Sequence, residues 1–419
     1  MWASGDSLGR QGIRERRVRL GQKGADYNHS MSSAPSASRA RLDTPHLPGG
    51  MPASDFLRDY WQKKPLLVRG AFPGFGGELD RAGLLALAAR DDVESRFVSR
   101  AGGRWSLRRG PIASRTAVRG GKPWTVLVQG ANLVVPAADA LVDHFDFIPR
   151  ARFDDVMVSF ATDGGGVGPH IDNYDVFLVQ GFGRRRWRIG PPRDRTLIDG
   201  VPLKILRHFE PDEEHVLEPG DMLYLPPDWA HDGVADGDCM TWSVGFRTAP
   251  ADELATQFLG FLQDHLSDLC RLEGRYADPD LKRPRHAGEI DRAMIARTRR
   301  LLEGLRWDDT TLRDFLGVSL TEPKPHVFFT PPSPALGMAA FARTVARNGV
   351  ELDPRSRLLF AQDRVFLNGE LEDVAPADLP AVIRLADARR LPPGTIEESL
   401  RALLHEWYRC GFIHPANAT

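Results

Sequence analysis

A mainly β core followed by helical segments is the fold class that this 419-residue sequence predicts. Between Ser95 and Arg247, short runs rich in β-branched and aromatic residues alternate with turn residues, at the spacing of a closed or sandwiched all-β unit. Beyond Pro250, apolar residues recur every three or four positions, which is typical of amphipathic helices. The change of period and the length of the chain both predict two or three domains.

The elements ahead of the sheet are predicted from local patterns. From Ser54, apolar residues at helical spacing predict a short amphipathic helix before a strand at 65–69, and a second helix is expected at 81–89. In the β region, the predicted strands are each about five to eight residues long. They include the runs DVFLVQG, RRRWRIG, HVLEPGDMLYLPP and TWSVGFR.

Helical periodicity predicts mainly helices in the remainder of the chain. From Leu254 to Leu269, apolar residues lie along one face of a helix of about five turns, which could be intramolecular core or a dimer seam. A further helix is expected at 289–305. A Pro-rich link then leads to a unit of helix, strand pair and terminal helix, whose hairpin is SRLLFAQDRVFLNG.

Composition indicates an ordinary globular protein. Hydrophobic residues make up 42% and charged residues 26% of the chain, and a net charge of -1 argues against nucleic-acid binding by the chain as a whole. Cys239, Cys270 and Cys410 show no CxxC spacing, so a reducing cytoplasm fits best. No apolar run is long enough for a membrane helix. Residues 1–45 are rich in Arg and Ser and are predicted to form a disordered basic tail, to which we assign no role.

A metal site is predicted from one motif and a distant histidine. In GGGVGPHIDNYDVFLVQG, His170 and Asp172 stand two residues apart at the start of a predicted strand, so their side chains share a face. His231 follows the turn after the strand GDMLYLPP and supplies a third ligand. Two imidazoles and one carboxylate on one face of an octahedron leave open positions, as in non-heme Fe(II) oxygenases. Zinc and calcium prefer other donor sets, so iron is the predicted metal.

A cation for a dicarboxylic co-substrate is available on the next strand. The run GRRRWRIG places Arg184, Arg186 and Arg188 on one face and Arg185 with Trp187 on the other. Only one inward arginine is needed, and the others are expected to be solvated surface residues. The Gly-rich segment before His170 precedes a strand and lacks the lysine of a phosphate-binding loop, so we do not assign it to phosphate binding.

At these motifs the sequence resembles the bacterial JmjC-type ribosomal oxygenases, which are cupin-fold arginine hydroxylases acting on large-subunit ribosomal protein sixteen. GGGVGPHIDNYDVFLVQGFGRRRWRIG and EPGDMLYLPPDWAHDGVA are similar to two core motifs of that family, and WSVGFR resembles the strand that follows. The likeness begins near Phe56 and extends to the C-terminus. It implies a double-stranded β-helix (cupin/JmjC jelly-roll) core, a helical dimerisation region and a C-terminal winged-helix-like domain.

The resemblance also implies roles for individual residues and for partners. It places iron on the ligand triad His170, Asp172 and His231, with 2-oxoglutarate and O₂ as co-substrates and Arg185 as the cation for the distal carboxylate. Thr241 stands where relatives can carry Asn near the co-substrate, and Ala161 where they can carry Ser. The substrate arginine, hydroxylated at C-3, would be bound by four residues: Asp155, Met157, Tyr174 and Ser243.

The expected domain boundaries and partners follow from the same sequence patterns and family resemblance. We expect a tail at 1–45, a JmjC/cupin catalytic domain at 46–249, a helical dimerisation region at 250–310 and a winged-helix-like domain at 311–419. The expected assembly is a cytoplasmic homodimer that acts on a ribosomal protein and binds neither membrane nor nucleic acid. Two alternatives stay open: a JmjC-type oxygenase or demethylase acting on another protein residue, and a non-catalytic dimeric cupin/winged-helix binding module.

Overall fold

The computed structural model describes residues 46–76, 78–113, 123–266 and 275–416. The predicted tail at 1–45 and the apolar position Leu269 lie outside these residues. Within them, the chain divides into two compact units. The first comprises the described residues up to Thr248 together with Pro323–Ser356 and Ala375–Thr419, and the second comprises Ala249–Glu322 and Arg357–Val374. The region predicted from residue 311 onward is therefore shared between both units, and the boundaries proposed above remain predictions.

A ten-stranded antiparallel sheet forms the centre of the first unit. Its main path runs β1-β9-β7-β10-β5-β4-β2-β3, with β6 paired to β10 and β8 paired to β7. The strands are β1 Leu66–Val68, β2 Ser95–Ala101, β3 Arg104–Arg109, β4 Trp124–Val128, β5 Phe153–Ala161, β6 His170–Ile171, β7 Asp175–Gly190, β8 Glu213–Leu217, β9 Met222–Leu225 and β10 Ala230–Phe246.

Two strands are longer than the sequence predicted. DVFLVQG and RRRWRIG were expected to form separate strands, but they belong to the single 16-residue strand β7. The run TWSVGFR, except for its last residue, forms the end of the 17-residue strand β10. The glycines between the runs cause a bulge instead of a break. Gly183 has φ 60°, and the pairing of β10 with β7 shifts register between Asp236 and Met240.

The two long strands curl the sheet around a small apolar cluster. Val176 and Ile189 lie near opposite ends of β7, and a straight strand would separate them by about 40 Å. They nevertheless belong to one buried cluster, which we call the inner cluster. Its members are Val176, Leu178, Trp187, Ile189, Leu217, Leu223 and Leu225. The curled sheet thus encloses an interior lined by apolar side chains, as a double-stranded β-helix does. This confirms the predicted fold class of the core.

The outer face of the sheet is covered by short helices. These are α1 Ala53–Asp59, α2 Arg81–Ala88 and α3 Pro136–Val142. In α1, Phe56 is fully buried, and its ring centroid lies 4.9 Å from that of Tyr224 and 5.6 Å from that of Phe177. Burying such a side chain stabilises the fold by roughly 1.5–3 kcal/mol. Asp80 caps α2 by accepting a hydrogen bond from the backbone N of Gly83. The two predicted N-terminal helices are confirmed.

The first unit also contains a small three-stranded sheet of order β15-β11-β16, made of Arg390–Leu391, Val350–Leu352 and Ile413–Pro415. Three helices accompany it: α7 Met338–Asn348, α8 Leu379–Ala388 and α9 Glu398–Arg409. Asp353, directly after β11, is buried and accepts hydrogen bonds from Arg355 and from Nε2 of His414. This carboxylate ties the end of β11 to β16.

The second unit pairs helices with a three-stranded sheet. Its helices are α4 Ala251–Asp264, α5 Arg292–Leu302 and α6 Asp309–Thr321, and its strands are β12 Leu358–Ala361, β13 Arg364–Leu367 and β14 Glu370–Glu372. Phe258 and Phe261 of α4 pack on Phe315 of α6, at 5.1 and 5.7 Å between ring centroids. The predicted hairpin is confirmed as β12 and β13. Among the described residues, no helix is long and apolar enough to cross a membrane.

Candidate metal and co-substrate site

Strand pairing brings the two predicted imidazole ligands together. In the register of β6 and β10, His170 lies directly opposite His231. Residues that face each other across antiparallel strands project to the same side, so the two rings meet, with centroids 4.2 Å apart. The pairing of a two-residue strand with the start of β10 therefore places two residues that are 61 positions apart in the sequence at one point.

Asp172 completes the cluster. Its Oδ2 atom lies 3.7 Å from Nε2 of His170 and 3.6 Å from Nε2 of His231. One ligand atom from each of the three residues falls within 4.8 Å of the others. Two neutral imidazoles and a carboxylate form the donor set of the facial triad that holds non-heme Fe(II), so the chemistry of the donors fits this metal.

Backbone carbonyls orient both rings for metal binding. Nδ1 of His170 donates to the carbonyl of Gly168 at 2.8 Å, and Nδ1 of His231 donates to the carbonyl of Trp229 at 3.0 Å. With the proton on Nδ1, the lone pair of Nε2 is available to a metal. Burial, and next the neighbouring His170, lower the pKa of His231 to about 4. His231 is thus neutral at physiological pH, the form in which it can be a ligand.

Tyr174 connects the triad to the proposed substrate pocket. Burial raises its pKa well above the usual range, and the Asp172 carboxylate adds to this effect through its charge and a hydrogen bond with the phenol. A Cβ placed on Gly245 of β10 would lie 4.0 Å from Tyr174 and 3.9 Å from Oδ1 of Asp155. Tyr174 therefore stays protonated and lies beside both Asp172 and Asp155.

Arg185 is the inward arginine of the basic run. It is 5% exposed, whereas Arg184 and Arg186 are exposed and pair with Asp236 and Glu214. Strand alternation thus assigned the faces correctly. Nη1 of Arg185 donates to the hydroxyl of Ser159 at 3.3 Å, but its Nε and Nη2 atoms have no hydrogen-bond partner among the described residues.

The donors of Arg185 that lack a partner would be satisfied by a bound anion. Leaving such groups without acceptors costs about 1–3 kcal/mol each, and more when the group is charged. Trp187 lies between Arg185 and the triad: the Cζ atom of Arg185 is 5.7 Å from the indole ring, and the indole centroid is 5.9 Å from that of His231. A dicarboxylate can bind the guanidinium with one end while the other end reaches the triad. The residues present therefore fit 2-oxoglutarate.

Asp155 is engaged by three donors. Its Oδ2 atom accepts from Nε2 of Gln129 at 2.8 Å, from the backbone N of Gly130 at 3.1 Å and from Nζ of Lys324 at 3.2 Å. The residue as a whole is 5% exposed. The family resemblance implied that Asp155 is the partner of a substrate cation, and the structure shows that a cation of this chain, Lys324, already contacts it.

Met157 and Ser243 lie on the same face as Asp155. They are direct cross-strand neighbours in the pairing of β5 with β10. Ser243 is buried, and Nη2 of Arg96 lies 4.0 Å from Sδ of Met157. Together with Tyr174, these residues form the surroundings expected for an aliphatic stem that ends in a cation. Their role as a substrate pocket remains a prediction.

Thr241 lies deeper along β10. Its hydroxyl donates to Oε1 of Gln180 at 2.9 Å, and its cross-strand neighbour on β5 is Ser159, the residue that accepts from Arg185. Ala161, at the end of β5, is fully buried beside Cys239 and Ala235. The contact of Thr241 with the co-substrate likewise remains a prediction.

Several residues of the site were not selected from the sequence. Ser159 and Gln129 carried no motif, although alternation along β5 puts Ser159 on the face of Asp155 and Met157. Trp187 was placed on the face of Arg185, but its position next to His231 was not anticipated. Lys324 lies in the Pro-rich link after α6, and its 169-residue separation from Asp155 leaves no local signal.

Comparison with known protein families gives two matches. A JmjC domain model matches residues 140–254, which include the whole triad and Arg185. A ROXA-like winged-helix model matches residues 304–414. The winged-helix part of the predicted fold class is thus confirmed.

Two bacterial proteins are similar to this chain in sequence. The ribosomal protein uL16 3-hydroxylase of Escherichia coli strain K12 is 33% identical over 324 residues, covering 76% of this chain and 85% of that protein. A probable ribosomal oxygenase of Haemophilus influenzae is 40% identical over 206 residues, covering 48% of this chain and 51% of that protein.

Solved structures show the same likeness. The X-ray structure of E. coli YcfD superimposes with a TM-score of 0.76 at 31% identity, covering 86% of this chain and 97% of that one. A structure of YcfD, a ribosomal oxygenase, in complex with cobalt and 2-oxoglutarate superimposes with a TM-score of 0.73 over the same shares.

Proposed function

This chain belongs to the JmjC-domain ribosomal oxygenases, and from that premise we propose that it is an Fe(II)- and 2-oxoglutarate-dependent hydroxylase of an arginine side chain, at C-3, in large-subunit ribosomal protein sixteen. One observation carries the proposal: the triad of His170, Asp172 and His231 lies beside the buried Arg185, whose Nε and Nη2 atoms lack partners among the described residues. A metal site and a carboxylate site next to each other are what this co-substrate requires.

The residues of the chain divide the work of binding. His170, Asp172 and His231 would hold the iron, and Arg185 would hold the distal carboxylate of 2-oxoglutarate through charge-assisted hydrogen bonds. When bound, iron and co-substrate supply the oxidation: 2-oxoglutarate and O₂ are converted to succinate and CO₂, and the second oxygen atom enters a C–H bond of the substrate. The buried apolar side chains of the inner cluster would disfavour water in this interior.

The position of the substrate decides which carbon is oxidised. Asp155 would anchor the guanidinium, and Met157, Tyr174 and Ser243 would surround the stem, so that the β-carbon is presented to the metal. The protein contributes chiefly by fixing this geometry, because the oxidising chemistry belongs to the cofactor. An E. coli relative named as a uL16 3-hydroxylase, which this chain covers by 85%, supports the choice of target.

The direct test is hydroxylation of a defined peptide. The protein is loaded anaerobically with Fe(II) and then incubated in air with 2-oxoglutarate and the arginine-bearing loop peptide of the ribosomal protein. We expect a mass increase of one oxygen atom on arginine, absent in His170→Ala. Succinate formation without a change in the peptide would retain the oxygenase and reject this target, and loss of a methyl group from a methylated lysine peptide would favour a demethylase.

We also propose that the protein is a homodimer formed through the second unit. Its helices expose apolar side chains, among them Leu259 at 65%, Ile295 at 49% and Leu302 at 56%. Stable dimers bury roughly 1,600 Å² of surface, and exposed apolar side chains are a suitable source of such area. Light scattering on the purified protein should give twice the chain mass, and Leu259→Asp should shift it toward the monomer, whereas Leu197→Asp, at an exposed position of the first unit, should not.

The place of action follows from the proposed target. A ribosomal protein substrate supports a cytoplasmic location for the enzyme, and the buried free thiol of Cys239 agrees with a reducing compartment. We propose that the winged-helix region docks the ribosomal protein and not nucleic acid, because the net charge of the chain is only -1.

A further inference from the structure

Lys324 is bound to the carboxylates at the start of β5. Its Nζ atom lies 3.2 Å from Oδ2 of Asp155 and 3.2 Å from Oδ1 of Asp154. The lysine side chain is 25% exposed, whereas that of Asp155 is 8% exposed. The ammonium therefore reaches a largely buried carboxylate from a position that keeps contact with solvent.

The surroundings hold Asp155 in place regardless of Lys324. Gln129 and the backbone of Gly130 donate to the same Oδ2 atom, and Nη2 of Arg96 in turn donates to Oε1 of Gln129 at 2.6 Å. Removing the partner of a buried charge is strongly unfavourable, so a carboxylate this buried needs a counter-ion whenever the pocket lacks a substrate. Lys324 meets that need.

We propose that Lys324 is a resident cation of the substrate pocket, which neutralises Asp155 in the free enzyme and must be displaced by the guanidinium of the incoming arginine. This inference rests on the proposed function, because it takes Asp155 to be the carboxylate that receives the substrate. It adds a residue outside the JmjC match, in the link after α6, to the determinants of substrate affinity.

Exchange of the two cations is physically reasonable in both directions. A guanidinium offers a planar fork of donors that can bind a carboxylate with two hydrogen bonds, whereas an ammonium acts as a point charge. The released ammonium is strongly hydrated and, being on a flexible stem that already touches solvent, loses little by returning to water. The guanidinium of the substrate therefore displaces Lys324 from Asp155. The apparent affinity for the substrate is nevertheless reduced, because Lys324 occupies the carboxylate for part of the time.

The affinity of variants for the peptide shows whether Lys324 is a displaceable cation or a fixed structural one. Binding of the fluorescent arginine peptide is measured by anisotropy, with the Fe(II)- and 2-oxoglutarate-loaded protein kept under nitrogen so that no turnover occurs. Lys324→Met keeps the stem and removes the charge, and it should lower the peptide Kd by about 5- to 20-fold, as expected if the pocket is open only a tenth of the time. Lys324→Arg, a better carboxylate ligand, should raise the Kd above that of the wild type.

The matched control removes a lysine elsewhere. Lys204 is exposed on the surface of the first unit, and Lys204→Met should change the Kd by less than about twofold, which sets the size of a general charge effect. A Kd for Lys324→Met equal to that of this control, or higher than that of the wild type, overturns the proposal. Melting temperatures of all variants verify folding, and Lys324→Gln serves as a second neutral variant if Lys324→Met does not fold.

A second readout follows Lys324 directly. Acylation of lysine amines, quantified by peptide mapping, should be slow at Lys324 relative to Lys204 in the free protein, and adding the arginine peptide should accelerate it. Hydroxylation of the peptide with no change in Lys324 labelling overturns the resident cation and leaves the proposed function intact. If neither the wild type nor Lys324→Met binds the peptide, the proposed target is wrong and the inference falls with it.

Discussion

The Oδ2 atom of Asp172 lies 3.6 Å from Nε2 of His231, although the two residues come from different segments of the sheet. Asp172 follows the two-residue strand β6, and His231 belongs to β10. The distance results from the pairing of these strands, which also fixes His170 opposite His231. The pairing of β6 with β10 therefore brings all three predicted metal ligands together.

Removal of Asp172 is expected to abolish metal binding. Asp172→Ala should lower the affinity for Fe(II) or Co(II) by more than about 100-fold, since changes outside the ligands alone cost roughly 10- to 100-fold. The change is measured by anaerobic titration with the metal. Asp199→Ala removes a carboxylate whose side chain is 93% exposed and should bind metal normally. Unchanged metal affinity in Asp172→Ala would contradict the assignment of the triad.

Arg185 is expected to determine co-substrate affinity. Arg185→Met keeps an apolar stem but removes the cation, and the Kd for 2-oxoglutarate should rise by about 30-fold or more, as for truncation of one partner of a buried charge pair. Metal binding should be retained. Arg186→Met, on the exposed face of the same strand, is the control. A 2-oxoglutarate affinity that is equal in both variants would reject the role of Arg185.

Asp155 is expected to act on the substrate and not on the co-substrate. Asp155→Asn keeps the shape of the side chain, so the enzyme should still convert 2-oxoglutarate to succinate without coupling it to hydroxylation. Peptide hydroxylation should fall by about 100-fold or more, because the guanidinium loses its charge partner. Succinate and hydroxylated peptide are measured in the same reaction. Equal losses of both products would show that Asp155 supports the site in some other way.

Gly233 is expected to be required by Trp187. The two residues are paired across β10 and β7, and a Cβ on Gly233 would lie 2.6 Å from the indole ring. Gly233→Ala should therefore destabilise the protein by about 1–3 kcal/mol and disturb the neighbouring His231. Gly288→Ala, where a Cβ would meet nothing within 4 Å, is the control. Thermal unfolding and metal affinity are compared, and equal stability of the two variants would refute the steric argument.

Asp353 is expected to make the stability of the first unit depend on pH. Burial raises the pKa of its carboxyl, but the hydrogen bonds from Arg355 and His414 outweigh burial and hold the pKa well below the usual range. A lowered folded-state pKa stabilises the fold above the unfolded value near 3.9, and this contribution disappears as the pH falls further. Asp353→Asn should cost about 2–4 kcal/mol at pH 7.

The test of Asp353 is the comparison of two pH values. Melting temperatures of the wild type and Asp353→Asn are measured at pH 7 and at about pH 3. The difference between them should narrow in acid, because near pH 3 the Asp353 carboxyl is protonated in the unfolded wild-type chain but still ionised in the folded protein, so part of its stabilising contribution is lost. A difference that stays constant would show that Asp353 contributes through packing and not through its charge.

The sequence by itself determined the features that depend on local periodicity. The two-residue spacing of His170 and Asp172, and the alternation that puts Arg185 on the face opposite Arg184, are properties of an extended strand and need no knowledge of its neighbours. The same holds for the capped helix Arg81–Ala88 and for the hairpin of β12 and β13. Each of these predictions agrees with the structure because the pattern and the element share one period.

The tertiary structure decided what depends on pairing and distance along the chain. It joined DVFLVQG and RRRWRIG into one bulged strand, because a glycine with positive φ can continue a strand that its neighbours hold in place. It also brought Lys324 to Asp155 across 169 residues. Ion pairs between remote segments leave no periodic trace in a sequence, since each partner alone has the pattern of a solvated surface residue. The cation that occupies the proposed substrate pocket was therefore visible only in the folded chain.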